Sequence, residues 1–159
     1  MTTDPSRPLP ELMKGGTTLM VATRSADGEV DSRPLTVADV SGSTIRILID
    51  TTADWARQLT DGDWTHVTLC DTRSNDFASL TGTFTTTTDP AEIDELWNPF
   101  AGAYFDDGRE SVGIAVMDIA PERGEYWDSP SGRIGSLISL VKAKLGDGED
   151  SGEHGDVSV

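Results

Sequence analysis

The sequence predicts a small, mostly antiparallel β-barrel with short helices packed outside it. Three observations carry that expectation. Strand-like segments follow one another between residues 17 and 85, separated by turns and one short helical stretch. Helical patterns are few and do not alternate regularly with strands, which argues against a doubly wound parallel sheet. One run, Val112 to Ala120, is apolar on both faces, as a central strand should be. Consecutive antiparallel strands of this kind close their edges as a barrel.

Taken in order, residues 1–8 are polar and proline-rich and read as a disordered lead. Leu9, Leu12 and Met13 form one apolar side of a short helix that stops at Gly15-Gly16. Thr17 to Arg24 is the first strand. Ala26-Asp27-Gly28 turns it into a second, Val30 to Val37. Pro34 lacks a donor, so that point of the second strand lies at an edge or a bulge. Ser41-Gly42-Ser43 leads into the clearest strand, where Ile45, Ile47 and Ile49 share one face and Arg46 lies on the other. Asp50 to Asp54 caps a short helix, Trp55 to Leu59, which Asp61-Gly62-Asp63 breaks.

Trp64 to Asp71 and Phe77 to Thr85 are further strands. Asp89-Pro90-Ala91-Glu92 is a helix start: Asp caps, Pro takes the first position, and Glu is placed to reach back. Ile93, Leu96 and Trp97 are its buried face. Phe100, Tyr104 and Phe105 suggest another short helical turn, and Asp106-Asp107-Gly108 a loop. The apolar run to Ala120 turns back through Pro121-Glu122-Arg123-Gly124 into Glu125-Tyr126-Trp127-Asp128. A turn over Ser129 to Gly132 and a helix over Ile134 to Leu145 follow. The domain is expected to span residues 9–145, with 146–159 a disordered acidic tail.

Composition narrows the function. The 159 residues include 12 basic and 28 acidic side chains, a net charge of −16. Nucleic acid and anionic lipid need clustered Lys and Arg, so neither is an expected partner. Cys70 is the lone cysteine, which precludes an intrachain disulfide and suits a reducing cytoplasm. It is expected to be a small buried residue at a strand end. The first ten residues lack the apolar core of a signal peptide, and no apolar run approaches membrane-spanning length. There is no Walker loop, dinucleotide glycine fingerprint or nucleophile elbow. His66, flanked on its strand face by Trp64 and Thr68, reads as a satisfied strand residue rather than a metal ligand.

Two features remain. Arg33 is a lone cation beside Pro34, and the Asp50-to-Arg57 segment joins a strand to a helix start; both are places where a phosphate can bind. A surface ion pair and simple capping are the plain alternatives. Tyr126 and Trp127 are either core aromatics at a strand end or a wall for a flat ring.

Five segments, in order and spacing, resemble one family: Ser32-Arg33-Pro34-Leu35, Ile47-Leu48-Ile49-Asp50, Ser79-Leu80-Thr81-Gly82-Thr83, Glu95-Leu96-Trp97-Asn98-Pro99 and Glu125-Tyr126-Trp127-Asp128-Ser129-Pro130-Ser131-Gly132. The chain is similar to the general stress protein group of the pyridoxamine 5′-phosphate oxidase-like flavin-binding split barrels. The resemblance covers about residues 9–145. It implies a six-stranded antiparallel split β-barrel, a homodimer, and FMN in a cleft between subunits. Carried over by motif, Arg33, Pro34 and Leu35 lie along the flavin, Ile49, Asp50 and Thr51 near the ring edge and ribityl chain, and Trp127 and Asp128 close the site. The implied activity is a flavin-dependent oxidoreductase or a stress-related flavin binder, without the oxidation of pyridoxamine phosphate itself.

One departure bears on the cofactor. Where the family has Ser and then Lys directed at the phosphate, this chain has Ala53 and Trp55. Thr51, Thr52 and Arg57 are the candidate substitutes. A charge-assisted phosphate contact contributes about 1.5–3 kcal/mol. Its loss corresponds to roughly tenfold to a hundredfold in affinity. Three outcomes follow: weak FMN binding, preference for another flavin or a deazaflavin, or a cofactor-free dimeric binding module.

Overall fold

A computed structural model describes residues 7–128 and 153–158. The expected turn over Ser129 to Gly132 and helix over Ile134 to Leu145 lie outside the described residues. Six strands make the barrel: β2 (Thr18–Arg24), β3 (Val30–Ser41), β4 (Thr44–Asp50), β5 (Trp64–Asp71), β6 (Asp76–Thr87) and β7 (Ile114–Asp128). Their order around the barrel is β7-β4-β3-β2-β5-β6, and β6 pairs back onto β7 to close it. Every pairing among these six is antiparallel.

The pattern of side chains explains the closure. Leu19, Val21, Ile45, Ile47, Ile49, Val67, Leu69, Leu80 and Phe84 alternate with polar residues and fill the interior together with Met117 and Ile119. The short helix α1 (Leu9–Leu12) covers this core, where Leu9 and Met13 are fully buried. As its composition suggests, β7 is covered on both faces. Ala115, Met117 and Ile119 point inward, while Ile114 and Val116 pack against a second cluster outside the barrel. That cluster is built on helix α2 (Pro90–Leu96), through Ile93 and Leu96, and on Phe105.

Helix α2 starts as read, with Asp89 Oδ1 accepting from Ala91 N at 2.9 Å. Glu92, however, does not reach back to the cap. It accepts from Arg46 Nη2 at 2.6 Å, and Asp118 accepts from Arg46 Nε at 3.0 Å. Arg46 is thus a part-buried cation that ties β4, β7 and α2 together. Burial opposes its charge, but the hydrogen bond and charge of Asp118, with Glu92 and Glu95, win and hold its pKa above the ordinary arginine value.

The structure corrects several readings. No turn separates Val112–Ala120 from Glu125–Asp128; β7 is one continuous strand of 15 residues. It bends at a register shift opposite Thr81 and Gly82, where Pro121 has no N–H to offer the ladder. The helix expected over Trp55 to Leu59 is a single 3₁₀ turn, Ala56–Gln58, with no side-chain cap. Cys70 is exposed, because the alternation that buries Leu69 turns its neighbour outward. The composition of both chain ends suggests disorder, yet Arg7–Pro8 (β1) and Glu153–Ser158 (β8) are strands. β8 lies along Glu125–Asp128, on the β7 edge that β4 leaves open beyond Ile119. An open edge offers backbone groups to any extended segment, whatever its side chains. Among the described residues no helix is long and apolar enough to cross a membrane.

Candidate functional site

β3 changes partners along its length. Residues Val30 to Thr36 pair with β2, and Val37 to Ser41 pair with β4. The β3–β4 ladder stops at Val37↔Ile47, while β4 continues through Leu48, Ile49 and Asp50 against β7. The two strands therefore diverge between Pro34–Thr36 on one side and Leu48–Asp50 on the other. Pro34, with no N–H, stands on the open side, as an edge position requires.

A cavity of about 730 Å³ occupies the split. Its walls are Pro34, Leu35, Thr36 and Val37 from β3, Leu48, Ile49 and Asp50 from β4, and Ala53 and Trp55 beyond. The segment after α2 supplies an outer wall of Asn98, Phe100, Ala101, Tyr104 and Phe105. Asn98 shapes that wall, since its Oδ1 accepts from Phe100 N and Ala101 N, both at 3.0 Å. Phe105 is anchored against Trp97, ring centroids 5.6 Å apart. Phe100 and Tyr104 remain 83% and 70% exposed at the rim.

Four of the residues singled out from the sequence thus meet in the lining: Pro34, Leu35, Ile49 and Asp50. Ala53 and Trp55, at the two departing positions, line it too. The other candidates are placed elsewhere. Arg33 alternates to the opposite side of β3 from Pro34. Its Nη1 donates to Thr23 Oγ1 at 2.8 Å and Val21 O at 3.3 Å, and its Nη2 to Asp31 O at 3.0 Å. Its guanidinium carbon sits 4.5 Å from the Trp55 ring centroid. Burial draws its pKa below the ordinary value, with Asp31 pulling the other way.

Thr51 donates its hydroxyl to Gly113 O at 2.8 Å. Thr52 donates both its N–H and its hydroxyl to Asp50 Oδ1, at 2.8 and 2.6 Å. Gly113 makes this junction possible: with φ of +87° and Thr52 Cγ2 only 2.8 Å from where a Cβ would stand, no larger residue fits. Arg57 is exposed beside Asp54, at 3.5 Å. Trp127 pairs in register with Phe77 and with His154 of β8, and Asp128 with Glu153. Trp127 is not among the described residues of the lining. His66 is the satisfied strand residue its context suggests, within 2.9 Å of Thr81 Oγ1 and 3.2 Å of Ser79 Oγ.

The sequence reading missed the outer wall as part of the site. Phe100 and Tyr104 were legible as aromatics on a short helical turn, but their approach to β3 and β4 depends on where α2 docks. The lining combines a largely apolar slot, an aromatic rim and a few polar groups, which is the usual make-up of a site for a flat organic molecule.

These features define a split β-barrel with a cleft at the split. The chain belongs to the pyridoxamine 5′-phosphate oxidase-like family, whose model matches residues 4–150. Its fold is shared with a candidate general stress protein 26 of Jannaschia sp., at 24% identity and a TM-score of 0.70 over 89% of this chain and 90% of that one. It is also similar to the general stress FMN/FAD binding protein of Xanthomonas citri, at 25% identity and a TM-score of 0.63 over 75% of this chain and 84% of that one. The General Stress Protein 26 of Bacillus anthracis has the same fold at 15% identity, with a TM-score of 0.62 over 74% and 89%. No curated protein matches the chain.

Proposed function

We propose that this protein is a flavin-binding protein of the general stress type, that it holds the isoalloxazine ring in the β3–β4 cleft, and that it acts as a homodimer. The observation that carries the reading is the cleft itself. It is about 730 Å³ in volume, mostly apolar on its β3 and β4 sides apart from Thr36 and Asp50, and flanked by Trp55, Phe100 and Tyr104. A three-ring system gains from apolar burial and from aromatic contact in such a slot. The family membership and the flavin-binding relative support the same class of ligand.

The flavin supplies the electron-transfer chemistry when bound; the protein binds and orients it and excludes water. Backbone groups of Leu35 and of Leu48–Asp50 on the diverging strands are placed to meet the polar edge of the ring. Phe100 and Tyr104 are too exposed for a finished wall, which favours a second copy of the chain completing it. From that copy, Trp127 and Asp128 are the residues proposed to close the site, with Arg33 a support behind Trp55 rather than a direct ligand. The cytoplasm is the proposed compartment, in keeping with the single, exposed thiol.

Purified protein titrated into a fixed concentration of flavin tests the reading. Quenching of flavin fluorescence with a dissociation constant below about 50 μM is expected. Absence of quenching by riboflavin, FMN and FAD alike at that concentration rejects it.

A further inference from the structure

We propose that the cleft selects the phosphate-free form of its ligand: a flat heteroaromatic ring carrying a neutral, hydroxyl-bearing chain, as in riboflavin, in preference to the phosphorylated FMN. This rests on the flavin reading above and sharpens it. The family's phosphorylated ligand and these residues do not fit each other.

Among the described lining residues there is no Lys or Arg, and the one charged side chain is the carboxylate of Asp50. A phosphate dianion is held by cations, by hydroxyls or by clustered N–H donors. The hydroxyls of Thr18 and Thr36 line the cleft with no cation beside them in the described lining, and the candidates around the β4 end are engaged elsewhere. Thr51 Oγ1 donates to Gly113 O, and Thr52 donates twice to Asp50. Arg33 is spread over Thr23, Val21 O and Asp31 O, on the ring of Trp55. Arg57 reaches only Asp54 and is exposed. The 3₁₀ turn after Trp55 is three residues long, too short to offer a helix terminus to an anion.

The same geometry favours a neutral polyol. The two Thr52 donors converge on Oδ1 and fix the Asp50 carboxylate in place. A carboxylate accepts about four hydrogen bonds, so acceptor capacity remains for hydroxyl donors of a ligand chain. Bonds of that kind to a charged acceptor are short and strong. A dianion at the same place meets Asp50 directly and a chain of net charge −16 at longer range.

The test compares riboflavin and FMN by fluorescence quenching on the full chain at low and high salt. Riboflavin is expected to bind about tenfold tighter than FMN at low ionic strength, with the gap narrowing as salt screens the repulsion. In D50N the gap should shrink mainly because riboflavin binds less tightly and FMN no longer meets a carboxylate. Asn retains the Oδ1 acceptor for Thr52, so the local turn survives. A53K, which places a cation in the lining, should narrow or reverse the gap between the two ligands by tightening FMN. Equal or tighter binding of FMN by the unaltered protein overturns the selectivity while leaving the flavin reading intact. Failure of both ligands to bind removes the flavin reading itself, and the selectivity with it.

Discussion

The guanidinium carbon of Arg33 stands over the indole of Trp55, 4.5 Å from its centroid, and Trp55 in turn lines the cleft. Arg33 also donates to Thr23 and to two backbone carbonyls, so the ring holds an arginine already fixed from behind. A double-mutant cycle with R33A and W55A should give a coupling of about 1 kcal/mol in urea unfolding, within the range for partly desolvated cation–π pairs. R33K keeps the charge but loses the planar fork, and should retain less than half of that coupling. A coupling indistinguishable from zero would show that the stacking contributes nothing.

Arg46 should be the most costly surface-strand charge to remove. Its side chain is 11% exposed and faces Asp118, Glu92 and Glu95. R46A leaves three carboxylates without their cation and is expected to destabilise by about 3 kcal/mol. R109A removes a more exposed pair with Asp94 and should cost about 0.5 kcal/mol. Equal effects in denaturant unfolding would contradict the ranking.

Gly82 cannot carry a side chain without moving β7. A Cβ there meets the carbonyl oxygen of Ala120, and Pro121 Cα stands 2.7 Å away. Both are backbone, so no rotamer relieves the clash. G82A is expected to destabilise by about 3 kcal/mol and to lower the melting temperature. G42A, at a turn with open space but φ of +59°, should cost only about 1 kcal/mol.

Asp71 links a turn to acid stability. Its carboxylate accepts from the backbone of Arg73 at 2.9 Å, and that hydrogen bond holds its pKa below the ordinary value of 3.8. A carboxyl depressed in the folded state contributes stability that is complete above the unfolded pKa. The contribution is lost as pH falls through the folded pKa. Carboxyl titration by NMR should therefore place Asp71 below the unfolded Asp range, and D71N should remove its share of the acid dependence while keeping the turn. A normal titration would break the link.

Phe100 and Tyr104 provide the handle on assembly. Light scattering of the unaltered chain should give twice its 17.0 kDa mass at micromolar concentration. Replacing both residues by Ser should shift the equilibrium toward monomer and weaken flavin binding together. A monomer in the unaltered protein would refute a site shared between copies.

Much of the fold was legible because it is written at short range. Alternation at Ile45, Ile47 and Ile49 needs only a period of two, and Asp89-Pro90 starts a helix through bonds to residues one turn away. The continuous apolar run in β7 announced a strand buried on both faces, and the family resemblance named the split barrel. What the tertiary structure alone decided rests on groups distant in sequence. Thr51 spends its hydroxyl on Gly113, 62 residues away, and Arg46 meets Asp118, 72 residues away. Neither commitment can be seen from the residues' own neighbours. The continuity of β7 through Pro121 depends on a glycine in β6 that lets the two backbones approach. The position of the split depends on where β3 exchanges β2 for β4, a matter of register. Local propensity gives a strand its face, but only the partner strand gives it a register, and the cleft lies where two registers part.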